Sequence, residues 1–198
     1  MKKLRHIEEL LIVIDMINGF VREGNMKDEY IEHIVPGVES LVKEYVGNNN
    51  SEVFYIKDAH NDNAIEFTKF PVHCIEGTSE SEVLKELKPY EEKVRSYTKN
   101  STSVMFAKGF IKDINKMKNL KRVVFVGCCS DICVLNSAIP LINYFDEKNM
   151  NIVVEVRSDL VETYHSDIHD RDKYNNLSLG LLKQAGALIT KKRGEEKC

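Results

Sequence analysis

Cys133 is the residue whose place in the chain points most strongly to nucleophilic chemistry. It follows the apolar run 123–126 and a short polar turn, and it falls in the first turn of a predicted helix. Unpaired backbone N–H groups at a helix start create positive potential, which favours a thiolate over a thiol. The pattern therefore predicts a lowered pKa for Cys133; an inert core thiol is the alternative.

Two further residues could supply a base and a positive charge. Asp15 directly follows the aliphatic run 11–14, and Lys99 follows a predicted strand. Each has an ordinary alternative, because a strand-end Asp often caps a turn and most lysines are solvated. An acid, a cation and a thiol delivered by three strand ends to one crevice are typical of a nucleophilic catalytic site.

A second group of residues is typical of a metal site. Asp58 and His60 follow the second predicted strand, and His73 lies thirteen residues beyond His60. Two imidazoles and a carboxylate suit one divalent ion such as Zn²⁺, Fe²⁺ or Mn²⁺. The remaining histidines are interpreted as ordinary surface or core residues: His6, His33, His165 and His169.

Alternating strands and helices must position these groups. Nearly continuous apolar runs predict strands covered on both faces at 10–16, 53–57, 123–126 and 152–156, and less regular segments predict two further strands at 94–98 and 187–190. Helical periodicity is present at 37–46, 81–87, 106–117, 131–145 and 170–185. The expected fold class is α/β, with a doubly wound, mostly parallel six-stranded sheet and helices on both faces.

Composition limits the other possibilities. A chain of 198 residues is expected to form a single domain, 1–198, whose polar end at 191–198 is frayed. The net charge of −3 gives no reason to expect a nucleic-acid partner, and no apolar run approaches the ~20 residues that span a membrane. The N-terminus lacks the apolar core of a signal peptide, so a cytoplasmic location is expected. Five cysteines, an odd number, do not indicate a disulfide framework.

Three segments together resemble the isochorismatase-like cysteine hydrolases. Residues 15–20 are similar to that family's D-x-x-N-D-F segment, with Gly19 in place of the second Asp. Residues 99–106 resemble its K-x-x-x-S-x-F segment with one additional residue, and 127–138 resemble its G-x-x-[TS]-D-x-C-V-x-x-[TS]-A signature. The resemblance runs in order from residue 10 to about 190. It implies a catalytic triad in which Asp15 takes the proton of Cys133, the thiolate attacks a carbonyl carbon, and Lys99 stabilises the ionised pair.

The same resemblance implies how the turn before the nucleophile is built. It implies a cis peptide bond between Cys128 and Cys129. The backbone N–H groups of Cys129 and Cys133 are then expected to form an oxyanion hole. Asp131 is interpreted as a cap of the helix or a tie for the turn rather than as a catalytic group.

Within this family, D-x-H followed by P-x-H-C-x-x-G-T is the pattern of the nicotinamidases, and residues 58–60 and 71–78 match it. The match implies a metal held by Asp58, His60 and His73, with Glu66 as a further ligand. Phe20 is expected against the substrate ring. The implied reaction converts nicotinamide to nicotinate and ammonia through a thioester. The partner expected is this small molecule, with no nucleic acid and no membrane; relatives are often homo-oligomers, and the sequence leaves the oligomeric state open.

Two alternatives stay open. One is an amidohydrolase of the same fold with another small amide or carbamoyl substrate, since Ala59 stands where relatives often have an aromatic residue. The other is a metal-binding or thiol redox protein that uses the cysteines at 128, 129 and 133 with the two histidines. The second leaves Asp15 and Lys99 without a role.

Overall fold

A six-stranded, fully parallel sheet forms the centre of the protein. The structure, a computed structural model, describes residues 4–191, so the frayed tail expected at 191–198 lies outside the described residues apart from Lys191. The strand order is β3-β2-β1-β4-β5-β6, and every neighbouring pair is parallel. This confirms the doubly wound sheet. The strands are β1 (Glu9–Ile14), β2 (Ser51–Asp58), β3 (Arg95–Lys99), β4 (Arg122–Cys128), β5 (Val153–Glu162) and β6 (Leu188–Thr190).

Helices cover both faces of the sheet because the central strands are apolar on both sides. Leu10, Ile12 and Ile14 of β1 belong to one buried cluster, whereas Leu11 and Val13 belong to the other. This alternation follows from the two-residue period of a strand. The helices are α1 (Asn18–Val21), α2 (Val35–Gly47), α3 (Phe110–Ile114), α4 (Leu135–Glu147) and α5 (Arg171–Gln184). None of the helices between residues 4 and 191 is long and apolar enough to cross a membrane.

Two helix predictions are wrong in extent or in kind. The helix predicted at 81–87 is a series of turns, because its backbone pairs with other segments: Leu84 N–H donates to the Met16 carbonyl. Its apolar residues are nevertheless buried, so the periodicity reflects burial of a loop. The helix predicted at 106–117 shrinks to α3, which starts after Gly109 at a φ of 89°. Phe106, the first residue of the predicted helix, lies outside α3 and is 83% exposed.

The strand order reverses between β1 and β4, the two central strands. In open parallel sheets the crevice at the carboxyl ends of such strands is where ligands bind. Asp15 follows β1, Asp58 and Lys99 end β2 and β3, and Cys133 follows β4 after a short turn. The topology therefore brings the sequence-predicted groups to one edge of the sheet.

Gly127 of β4 permits the close approach of the two central strands. Its φ is 109°, and a Cβ there would lie 2.0 Å from the carbonyl oxygen of Ile14 in β1. We expect Gly127→Ala to lower the free energy of unfolding by about 3 kcal/mol or more, since a positive φ and a steric clash add.

Urea unfolding would measure this, with Gly109→Ala as the matched control. Gly109 also has a positive φ, of 89°, but a Cβ there would meet nothing within 4 Å. The control should lose only about 1 kcal/mol. Equal losses in the two variants would show that the contact with Ile14 is unimportant.

Candidate active site

Asp15, Lys99 and Cys133 meet around one ammonium group. Lys99 Nζ lies 2.7 Å from Asp15 Oδ2 and 3.5 Å from Cys133 Sγ. All three residues are buried, with at most 5% of their surface exposed. The structure thus brings together the acid, the cation and the thiol that were singled out from the sequence.

Strand ends fix the acid and the cation. Asp15 adopts a φ of 51° just after β1, and its Oδ1 accepts a hydrogen bond of 2.9 Å from the backbone N–H of Asp58. Lys99 is the last residue of β3, and its carbonyl accepts from the Ala59 N–H at 3.1 Å. The ends of three adjacent strands are therefore hydrogen-bonded to one another at the site.

Cys133 is held differently, by a turn that follows β4. The peptide bond between Cys128 and Cys129 is cis, as the resemblance implied. Residues Ser130–Val134 then form a single π-helical turn, closed by a 3.0 Å hydrogen bond from the Val134 N–H to the Cys129 carbonyl, before α4 begins. Cys133 is thus in an irregular turn rather than at the start of a regular helix. The assignment of the Cys129 and Cys133 N–H groups to an oxyanion hole stays a prediction.

The prediction that the pKa of Cys133 is lowered is wrong. Burial raises the pKa of this thiol well above its usual value, and the negative charges of Asp15 and Asp58 raise it further, although Lys99 opposes them. Loss of solvation and two nearby carboxylates outweigh the start of the helix. The resting thiol is therefore protonated, and its proton needs an acceptor within the site.

The two carboxyl groups beside Lys99, those of Asp15 and Asp58, have pKa values shifted in opposite directions by their surroundings. Burial and the charge of Asp58 raise the pKa of Asp15 to about 6, against the pull of Lys99. Burial also opposes ionisation of Asp58, but Lys99 and the two imidazoles hold its pKa well below the usual range. A carboxyl group that exchanges its proton near neutrality beside one that stays ionised suits acid–base work.

Asp58 also belongs to a second compact group, which it forms with His60 and His73 on the side of its carboxylate away from Lys99. One ligand atom from each lies within 4.8 Å of the others, and all three residues are buried. Asp58 also accepts a hydrogen bond from Lys99 through Oδ1, while its Oδ2 lies 3.5 Å from His60 Nε2 and 3.8 Å from His73 Nε2. One carboxylate therefore joins the triad to the histidine pair.

The donor set of this group fits a divalent metal. Nδ1 of His60 lies 3.0 Å from Asn100 Oδ1, and Nδ1 of His73 lies 2.7 Å from the Pro71 carbonyl. Both partners only accept, so each ring can donate its proton from Nδ1 and leave Nε2 available to a metal once that nitrogen is deprotonated. The buried Nε2 of His60 has no hydrogen-bond partner among the described residues. Such an orphaned nitrogen beside a carboxylate is what an absent cation would satisfy.

Glu66 and Phe20 lie around this group in different ways. Burial opposes a charged His60, but Asp58 raises the pKa of this imidazole, and the charge of the buried Glu66 adds to that effect. Glu66 is outside the compact set of ligand atoms. Its role as a ligand stays a prediction. The Phe20 ring is 5.6 Å from that of His73, and Phe67 makes edge contacts with both imidazoles at 5.3 and 5.7 Å.

Two structural contributions were not found from the sequence. Asn100 orients His60, and its signal was its position directly after Lys99. Asp131 does hold its turn, as predicted, but through His169, which was interpreted as an ordinary histidine and is bound to it at 2.8 Å. No local pattern marks that pair, because its members are 38 residues apart.

Comparison with known proteins gives one family. Residues 9–184 match the isochorismatase domain. A curated relative, nicotinamidase 1 of Arabidopsis thaliana, is 29% identical over 143 residues, which are 64% of this chain and 57% of that enzyme. The alignment thus spans little more than half of the plant protein.

Solved structures share the fold over nearly the whole chain. A pyrazinamidase of Pyrococcus horikoshii in complex with zinc is 21% identical with a TM-score of 0.76, covering 93% of this chain and 99% of that one. A nicotinamidase of Bacillus subtilis is 24% identical with a TM-score of 0.74, covering 91% and 98%. An N-carbamoylsarcosine amidase of Thermoplasma acidophilum is 21% identical with a TM-score of 0.76, covering 96% and 100%.

Lys99 should be essential to folding as well as to chemistry. We expect Lys99→Met to lower the free energy of unfolding by about 3–5 kcal/mol, since it leaves Asp15 and Asp58 buried without a counter-charge. Urea unfolding in the presence of a chelator would measure this without a substitute cation.

The control is Lys121→Met, which removes an exposed pair. Lys121 Nζ is 3.0 Å from Glu8 Oε2, but the lysine side chain is 70% exposed. Its loss should cost about 1 kcal/mol or less. A Lys99→Met variant as stable as this control would contradict the electrostatic account of the site.

Proposed function

We propose, since this chain belongs to the isochorismatase family, that it is a nicotinamidase: a metal-assisted cysteine amidohydrolase that converts nicotinamide to nicotinate and ammonia. The observation that carries the proposal is the placement of Asp58. This carboxylate contacts Lys99 of the triad on one side and two oriented imidazoles on the other. A site that holds a cation next to a nucleophilic thiol can bind one end of a small amide and attack the other.

Asp15 and Cys133 carry the first chemical step. The Cys133 thiol gives its proton to the Asp15 carboxylate as the sulfur forms a bond to the amide carbon. The carbonyl electron pair moves to oxygen, where the backbone N–H groups of Cys129 and Cys133 stabilise the charge. Lys99 lies 2.7 Å from Asp15 and 3.5 Å from the sulfur, so its ammonium group holds the two groups next to each other and stabilises their negative charge.

The second half of the reaction uses the same carboxyl group. The electron pair on oxygen re-forms the carbonyl, the C–N bond breaks, and Asp15 returns its proton to the leaving nitrogen, which departs as ammonia. The resulting thioester on Cys133 is attacked by water, from which Asp15 takes a proton. When the C–S bond breaks, Asp15 returns this proton to the sulfur, which restores the thiol, and the released acid ionises to nicotinate.

The histidine side of the site positions the substrate. A divalent ion held by Asp58, His60 and His73 would supply a Lewis acid that binds the ring nitrogen and orients the carboxamide. Asn100 and the Pro71 carbonyl fix the two imidazoles, and Phe20 offers an aromatic face next to His73. The pyrazinamidase of Pyrococcus horikoshii, solved with zinc, supports a metal of this class.

The alternatives differ from this proposal in what they require. An amidohydrolase for a carbamoyl substrate needs no ring nitrogen ligand and leaves the orphaned His60 Nε2 unexplained. A metal-binding or thiol redox protein that uses the cysteines at 128, 129 and 133 leaves Asp15 and Lys99, which lie 2.7 Å apart beside Cys133, without a role. The cytoplasmic location stays a prediction.

Replacing the nucleophile should separate binding from chemistry. We expect Cys133→Ala to reduce ammonia release from nicotinamide by at least about 1,000-fold, because the thioester cannot form. Binding of nicotinamide to the zinc-loaded variant, measured by calorimetry, should persist. Turnover at the wild-type rate would contradict the mechanism, and a wild-type protein that releases no ammonia from nicotinamide would contradict the substrate.

The metal site has its own test in Asn100. Because Asn100 orients His60, we expect Asn100→Ala to weaken zinc binding about 10–100-fold, measured by competition with a chromogenic chelator. The matched control is Asn115→Ala, whose side chain accepts a 2.9 Å hydrogen bond from Tyr144 far from the histidines. The proposal of a metal site would fail if wild-type protein took up no zinc, and the role of Asn100 would fail if both variants bound zinc equally.

A further inference from the structure

His169 is a buried histidine that the mechanism does not use, and all of its polar capacity is engaged. Its Nε2 lies 2.8 Å from Asp131 Oδ2, and its Nδ1 lies 3.0 Å from the Tyr164 carbonyl. Its ring is stacked between those of Tyr164, at 3.9 Å and 9°, and Tyr174, at 3.8 Å and 20°. Both nitrogens face acceptors, so the ring satisfies both partners only by donating from each.

Asp131 is equally fully bound. Its second oxygen, Oδ1, accepts a hydrogen bond of 2.5 Å from Thr163 Oγ1, and its side chain is only 10% exposed. Asp131 belongs to the π-helical turn and stands two residues before Cys133. The neighbouring Ser130 also binds a later segment of the chain, because its hydroxyl donates a 2.5 Å hydrogen bond to Asn175 Oδ1 of α5. Side-chain hydrogen bonds therefore connect the turn to the segment after β5 and to α5.

This anchoring matters because the position of Cys133 depends on the turn. Asp15 and Lys99 are fixed by hydrogen bonds between strand ends, but Cys133 lies beyond its strand in an irregular turn. We propose that Asp131 and His169 are positioning residues that hold the Cys133 thiol against Lys99 for the reaction proposed above, on which this inference rests. An imidazole clamped between two tyrosine rings is a rigid donor to Asp131, and small displacements of a reacting atom are costly in rate.

The inference is testable because the residues that hold Cys133 and the residues expected to bind the substrate come from different segments. Asp131 and His169 contact the turn that bears the nucleophile, whereas the metal ligands and Phe20 come from the segment after β2 and from α1. Loosening the turn should therefore reduce kcat and leave KM nearly unchanged. A residue that only stabilised the fold would change the amount of active protein and neither constant.

Two variants of His169 separate hydrogen bonding from stacking. His169→Phe keeps an aromatic ring between the tyrosines but loses both donors, while His169→Gln keeps a donor for Asp131 without the ring. With nicotinamide and zinc-loaded protein, we expect His169→Phe to lower kcat at least about tenfold with KM within about twofold, and His169→Gln to retain more of kcat. A kcat within about twofold of wild type in folded His169→Phe, or a KM that rises as kcat falls, overturns the proposal.

A second pair of variants covers the case in which His169→Phe does not fold. Thr163→Val removes the other hydrogen bond to Asp131 at nearly constant volume, and Thr163→Ser keeps it. We expect Thr163→Val to lower kcat with KM unchanged and Thr163→Ser to behave as wild type. Equal kcat values for the two would overturn the proposal.

Alkylation of Cys133 by iodoacetamide gives a readout that needs no substrate. Followed by mass spectrometry of the peptide at neutral pH, it should be at least about fivefold faster in Thr163→Val and in folded His169→Phe, because a sulfur displaced from the site escapes the burial and the two carboxylates that keep it protonated. An unchanged or slower rate overturns the inference. A wild-type protein that does not hydrolyse nicotinamide refutes the proposed function instead, and the alkylation comparison still decides the role of Asp131 and His169.

Discussion

The site depends on a single buried ammonium group shared by two carboxylates. Lys99 Nζ contacts Asp15 and Asp58, and burial alone would make each of the three charges unfavourable. Together they leave one net negative charge, which is partly offset by the neighbouring imidazoles. The arrangement is stable only as a set, because removing one member exposes the others to a full desolvation penalty. It therefore constrains which residues the ends of β1, β2 and β3 can carry.

The charges of Lys99, Asp15 and Asp58 determine the protonation of Cys133 more than the start of its own helix does. The thiol is buried, and its pKa is raised by that burial and by the two carboxylates. A resting protonated thiol is protected from oxidation and alkylation, since the thiolate is the reactive form. In the proposed reaction, reactivity comes from transfer of the thiol proton to Asp15 when a substrate carbonyl is in place. That mechanism links nucleophilicity to occupancy of the site.

The sequence was sufficient for the sheet and for the residues at its carboxyl edge. Strands covered on both faces leave nearly continuous apolar runs in the sequence. The motifs at 15–20 and 127–138 each consist of residues that are close together in the chain, so a sequence pattern can identify them. Properties that arise from contacts distant in the chain were not accessible. The raised pKa of Cys133 depends on burial and on Asp15, and the partnership of His169 with Asp131 joins residues 38 positions apart. The helix predicted at 81–87 was wrong because its apolar periodicity serves a loop whose backbone pairs with Met16 and Asn18.

The fully parallel sheet also determines when the site can exist during folding. Parallel strands cannot be joined by tight hairpins, so each neighbouring pair is closed only after a long crossover has formed. The four strand ends that hold the acid, the cation, the thiol and the histidine pair are therefore brought together only by contacts between distant parts of the chain. A chain in which one of these strands is unpaired has no complete place where these charges neutralise one another. Catalytic competence in this protein is accordingly a property of the completed topology, and a fragment that lacks β3 or β4 has none.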